Sequence, residues 1–385
     1  MDKESKRDVL WIILFLIVLL NGFEAGGYQA SLWSIGKDFD LSKTSMGLYA
    51  AMELFATMLA PILLGRWADS VEKVRSIALM LGIQIAAALI ALLTASNRLF
   101  LLGVFFLGLT TSSLQFISIS ALADAYPVSG IRKVAYVTTM YALGALLSPL
   151  VVDFYLRQGL GWRTLFGILA AGSTLALLGI LSSGTGRREE KLSADPLGSE
   201  RRLVLPAVLL LGLIMCIYVG FENGFTFFID TLFMDVLRSS RGKMALSLFW
   251  AVMIPSRFLV GRFSHRAKAI LVASIVAIPC TMILLAGASS PDLVLLLCVP
   301  LGAASGAIYP SVLTLMMPFA GKQTATATGI ITAATGIGGV VFTAMTGFLA
   351  DAFGMRAAML VLVSFFALSL LAALAVLRMG RQTQA

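Results

Sequence analysis

The apolar residues of this chain are gathered into runs of about 20, the length at which a helix crosses the hydrocarbon core of a bilayer. That spacing constrains the fold more than any other feature. A backbone in lipid must satisfy its polar groups internally, so runs of this length are helices. The strict alternation that marks a membrane β-barrel is absent from the sequence. Composition agrees: 59% of the 385 residues are hydrophobic and 13% charged, whereas a soluble domain is about 45–50% apolar and about 25% charged.

Twelve spans are predicted, near 9–33, 45–65, 76–95, 99–123, 134–155, 164–183, 203–234, 244–261, 269–288, 293–319, 324–350 and 357–377. The first reads as a retained helix, because no small-residue cleavage site follows it. The longest polar stretch, from Thr185 to Arg202, divides the spans six and six. The expected organisation is a bundle over 1–184, a linker over 185–202 and a second bundle over 203–385. With the N-terminus cytoplasmic, inner loops hold about twice as many Lys and Arg as outer loops. Both termini and the linker are therefore expected on the cytoplasmic side of the cell (inner) membrane. The net charge of +9 thus reports topology, and nucleic acid is not an expected partner.

The two halves repeat. Gly22-Phe23-Glu24 recurs as Gly220-Phe221-Glu222, and Asp153 recurs as Asp351, both at an offset of 198. Gly65-Arg66 recurs as Gly261-Arg262 at an offset of 196. Three matches at nearly one offset, each at the same place in its half, indicate a duplicated unit. Repeated halves are typical of secondary transporters, whose solute sites lie near the midplane between repeats and which work by alternating access.

The segment Gly65-Arg66-Trp67-Ala68-Asp69-Ser70-Val71-Glu72-Lys73-Val74-Arg75 resembles the loop signature between helices 2 and 3 of the major facilitator superfamily. Gly65, Ala68, Asp69 and Lys73 fit it. Trp67 and Glu72 replace its Leu and second Gly, and Arg75 comes one residue late. The resemblance covers the whole chain, and implies two pseudo-symmetric six-helix bundles, all-α and polytopic. It also implies that Asp69 is a conformational latch, with Lys73 or Arg75 as its local partner. Tyr218-Val219-Gly220-Phe221-Glu222 and the stretch from Trp250 to Arg257 resemble the fucose-permease-type sugar transporters. Gly144-Ala145-Leu146-Leu147-Ser148-Pro149 partly resembles an antiporter signature.

An ionisable side chain within a span costs about 2.5–3.5 kcal/mol on insertion scales, so each one marks a candidate site. Glu24 and Glu222 lie at equivalent depths in spans 1 and 7, and Glu53 lies well inside span 2. Removing a carboxylate from water favours its protonated form, which is the physical basis of proton coupling. Arg257, one turn from the end of span 8, is expected either to snorkel or to meet a buried acid or an anionic solute group. Asn21 and Tyr28 share a helix face with Glu24, as Tyr218 does with Glu222. Asn223, Gln115, Tyr141, Trp250 and Tyr309 complete the expected cavity lining. Phe225, Phe227 and Phe228 read as lipid-facing or core, and His265 as a loop residue.

No phosphate loop, metal-ligand spacing or nucleophile–base pair occurs in the sequence, so neither an enzyme nor a cofactor or metal is expected. Cys216, Cys280 and Cys298 stand apart within apolar runs and read as small buried hydrophobes. The expected function is secondary transport of a small polar organic solute, sugar-like first, coupled to protons, by a monomer. The runner-up is a proton-coupled exporter of amphipathic compounds. A receptor or scaffold is the distant third.

Overall fold

The computed structural model describes residues 3–125, 130–183, 203–321 and 323–382. All regular structure among them is helical. In chain order the helices are α1 (Lys3–Asp38), α2 (Lys43–Ser70), α3 (Lys73–Leu93), α4 (Asn97–Ala125), α5 (Gly130–Arg157), α6 (Thr164–Ser183) and α7 (Leu205–Thr231). They continue with α8 (Gly242–Arg262), α9 (Ala267–Gly287), α10 (Pro291–Ala320), α11 (Thr324–Phe353), α12 (Met355–Ser364) and α13 (Phe366–Gln382). Among the described residues, 12 stretches are helical, long and apolar enough to cross a membrane, as expected. The last expected span is two helices, α12 and α13, broken at Phe365. Beside the break the Ser364 hydroxyl donates to the Val361 carbonyl at 2.7 Å, competing with the helical ladder. The linker expected over 185–202 lies outside the described residues.

Two compact units emerge from the chain contacts. The first contains residues 1–35 and 52–193; the second contains 36–51 and 194–385. The second unit thus includes the start of α2. Asp351, near the end of α11, explains that membership. Its carboxylate accepts the backbone N–H groups of Lys43 (3.1 Å) and Thr44 (2.7 Å) and the Thr44 hydroxyl (2.6 Å). These are orphan donors of a helix N-terminus, where a negative charge is favoured. Lys43 also pairs with Asp235 at 3.3 Å.

Each unit closes around glycine contacts. In the first, a Cβ on Gly22 would collide with the Tyr141 carbonyl oxygen, and one on Gly144 with that of Leu19, so α1 and α5 touch backbone to backbone. A Cβ on Gly108 would likewise strike the Glu53 carbonyl oxygen, which seats α4 on α2. The second unit repeats this on α7 with α11, where Gly338 faces the Cys216 carbonyl, and on α8 with α10, where Gly306 faces that of Met253. Gly26 packs against Ala145 and Ser148, so the Gly26-Gly27 pair serves close approach.

The repeat extends to chain reversals. The residue in the left-handed region after α1 is Asp40, and after α7 it is Arg238, again 198 apart. The second reversal follows a π-helical turn over Leu232–Val236. Helices α5 and α11 both end before a left-handed glycine, Gly159 and Gly354, where a side chain would be strained. The core of the second unit is strongly aromatic: Phe221, Phe225, Phe227, Phe228 and Phe249 are fully buried. The three phenylalanines of α7 left open between lipid and core therefore belong to the core.

Candidate functional site

In the first unit, the structure gathers buried polar groups from five helices around Glu24. Asn21 and Glu24 sit one turn apart on α1, Glu53 on α2, Gln84 on α3, Thr111 on α4 and Ser173 on α6, all buried. They form a chain of donors. The Ser173 hydroxyl donates to Gln84 Oε1 (3.0 Å), and Gln84 Nε2 donates to Asn21 Oδ1 (3.3 Å) and Thr111 Oγ1 (3.4 Å). Asn21 Nδ2 donates to the Thr111 carbonyl (3.0 Å), and the Thr111 hydroxyl donates to Glu24 Oε2 (3.3 Å). The chain ends on the carboxylate.

Glu53 is the second acid of this cluster, and Glu24 lies within its electrostatic reach. Its Oε2 is buried with no hydrogen-bond partner among the described residues. Among the described residues no basic side chain is ion-paired with either glutamate. Two carboxyls buried together without a cation cannot both stay ionised at low cost. Tyr28 is buried in the same unit, and Gln115 is half-buried one turn along α4 from Thr111. Tyr141 is half-buried, and its backbone forms the surface on which Gly22 rests.

The second unit has a different constellation. Glu222 and Tyr218 lie one turn apart on α7, both buried. Arg257 on α8 places Nη2 3.8 Å from Glu222 Oε1 and 3.1 Å from Met253 Sδ. Tyr218 acts electrostatically on both charged groups, and Tyr309 of α10 acts on Arg257. Of the two sequence expectations for Arg257, the structure takes the acid pairing. Trp250 is buried two turns before Arg257 on α8, its indole Nε1 without a partner among the described residues. Asn223 does not join the group: its amide donates to the Val219 carbonyl of its own helix at 2.9 Å.

The expected latch is described in part. Lys73 donates to the Ser120 hydroxyl of α4 at 2.6 Å, and Arg75 pairs with Glu72 at 3.0 Å. Glu72, the residue that replaces the signature's second glycine, thus holds Arg75. The Asp69 side chain lies outside the described residues. His265 is exposed in a short 3-10 turn over Ser264–Arg266.

Sequence reasoning missed Gln84, Thr111 and Ser173. A lone amide mid-span, as at Gln84, is a usable signal of the kind that singled out Gln115. Hydroxyls such as Thr111 and Ser173 are too common in membrane helices to stand out. It also missed the ion pair of Asp230 and Lys243, 2.7 Å apart and buried. By sequence Lys243 falls in a loop, and only its partner on α7 explains why it is buried.

Twelve membrane-length helical stretches among the described residues, with buried acids in both repeats, fit one class: a polytopic helical transporter. The chain belongs to the Major Facilitator Superfamily, whose profile matches residues 14–343. It is similar to the glucose transporter GlcP of Staphylococcus epidermidis, 22% identical over 177 residues, which are 46% of this chain. The chain spans 40% of the length of that curated relative. Among solved structures it resembles a bacterial homologue of the human lysosomal transporter Spinster, with TM-score 0.79 and 18% identity, covering 97% of this chain and 98% of the other. It also resembles a D-xylose-proton symporter, with TM-score 0.75, 16% identity and 96% of each chain covered. The nucleoside transporter NupG aligns with TM-score 0.74 and 15% identity over 96% of this chain and 99% of the other.

Proposed function

We propose that this protein is a proton-coupled secondary transporter of a small polar organic solute, sugar-like in the first instance, working by alternating access. The observation that carries the proposal is the Glu24–Glu53 cluster, two buried acids with no basic partner among the described residues. Its remaining oxygens favour a proton over a metal cation. A hard cation needs several free oxygen ligands, yet Asn21 Oδ1 and Gln84 Oε1 already accept hydrogen bonds from the protein. The glucose transporter and the D-xylose-proton symporter among the similar proteins agree with a sugar-like solute and with protons.

The proposal extends to a monomer in the cell (inner) membrane, with both termini and the 185–202 linker cytoplasmic and Asp69 acting as a latch. The test is uptake by proteoliposomes under an imposed pH gradient. Wild type should accumulate solute, and Glu53→Gln or Glu24→Gln should lose accumulation while keeping solute exchange. Accumulation by both variants at the wild-type level removes the cluster from coupling. Movement of a lipophilic cation with no movement of sugars would favour an exporter of amphipathic compounds instead.

A further inference from the structure

The two buried acid sites differ in one respect that the duplication does not require. Glu24 is grouped with a second acid, whereas Glu222, its repeat equivalent, is grouped with a guanidinium. The Glu222–Arg257 pair is loose. At 3.8 Å it is an ion pair without a close hydrogen bond, and the nearer neighbour of Nη2 is a thioether, a weak acceptor. The Arg257 side chain is 42% exposed, while that of Glu222 is 11% exposed. The guanidinium therefore has donors to spare and an approachable side, and its acid lies behind it. Tyr309, 39% exposed, lies within electrostatic reach of Arg257.

We propose that Arg257 is the docking point for a carboxylate carried by the solute, and that Glu222 yields the guanidinium to it by taking up a proton. The inference rests on the transport function proposed above and names the solute class: a hydroxylated monocarboxylate rather than a neutral sugar. A planar guanidinium presents paired donors that match a carboxylate. The groups that act on Glu222 are Arg257 and Tyr218, and those that act on Arg257 are Tyr218, Glu222 and Tyr309. Arg257 is the sole permanent charge in that set, so one added anion balances it once Glu222 is neutral. A phosphate dianion would leave an excess negative charge. The proton that lands on Glu222 comes from water, and no bond other than that O–H is made or broken. Tyr218, buried one turn from Glu222 on α7, interacts with both charged groups and can donate to Glu222 when Arg257 turns away.

The experiment uses full-length protein in detergent and in proteoliposomes, with matched probes: D-glucuronate against D-glucose, and D-gluconate against D-sorbitol. Expected is thermal stabilisation by an acid over its neutral partner, larger at pH 6 than at pH 8. Arg257→Gln should weaken acid binding by about ten- to a hundredfold, the loss of a charge-assisted contact. Arg257→Lys should recover part of it. Glu222→Gln should bind the acid with no dependence on pH in this range. A purely structural pair would move stability in these variants but not the preference for acid over neutral probe. The isoelectric double variant Glu222→Gln/Arg257→Gln removes both charges and guards against misfolding of the single ones. The inference is overturned if neutral probes bind as well as acids, if Arg257→Gln keeps the preference, or if no acid binds. Proton-driven sugar uptake by Arg257→Gln would overturn it while leaving the transport proposal standing. No pH-driven uptake of any probe by wild type would sink both.

Discussion

Buried charged residues in this protein differ in how they are partnered. Asp230 and Lys243 are buried, 2.7 Å apart, which is the geometry of a structural pin. Breaking such a pair strands one charge in a low-dielectric interior, at about 3–5 kcal/mol. Asp230→Ala should therefore lower the unfolding temperature sharply, and Asp230→Leu with Lys243→Met should recover most of the loss. Thermal unfolding in detergent reads both, and equal stability of the single variant and wild type would remove the pin. Glu222 and Arg257 contrast with it at 3.8 Å, with the guanidinium partly exposed. Glu53 contrasts further, since one of its oxygens has no hydrogen-bond partner among the described residues. The three acids look alike as isolated letters in apolar runs. Their neighbours set them apart.

Helix pairs are set by where side chains are missing. Gly338 lies so close to the Cys216 carbonyl that a methyl group must push α11 away from α7. Gly338→Ala should destabilise by about 1–3 kcal/mol, the usual penalty of overpacking. Gly82, on α3, has nothing within 4 Å of its would-be Cβ. Gly82→Ala should be neutral or stabilising by up to about 1 kcal/mol, through the lower chain entropy of alanine. Unfolding midpoints of the two variants measure the contrast, and an equal shift in both would refute a packing role for Gly338. The start of α2 is governed differently. Its orphan N–H groups are capped by the Asp351 carboxylate, more than 300 positions away in sequence. No local capping signal could announce that partner.

At the scale of the molecule, each of the two units buries its own core, with an aromatic cluster in the second and an aliphatic cluster around Ile13, Leu14, Ile17 and Leu81 in the first. Residues 36–51 of the second unit would stay with a 1–184 fragment, but each core cluster lies wholly within 1–184 or 203–385, so co-expression of the two as separate chains should give back transport in the proteoliposome assay. Folded fragments without transport would assign the linker an active part.

The number of spans, the duplication and the superfamily were legible in the sequence, because apolar run length and repeated offsets are properties of the chain itself. So were Glu24, Glu53, Glu222 and Arg257, since a charge in an apolar run is conspicuous wherever its partners lie. The partners were not legible. The donor chain through Gln84, Thr111 and Ser173, the pin of Asp230 with Lys243, the turn of Arg257 toward Glu222 and the cap of α2 by Asp351 all join residues distant in sequence. Hydrogen bonds and ion pairs depend on positions within a few ångströms. Only the packing of the helices brings those groups within reach.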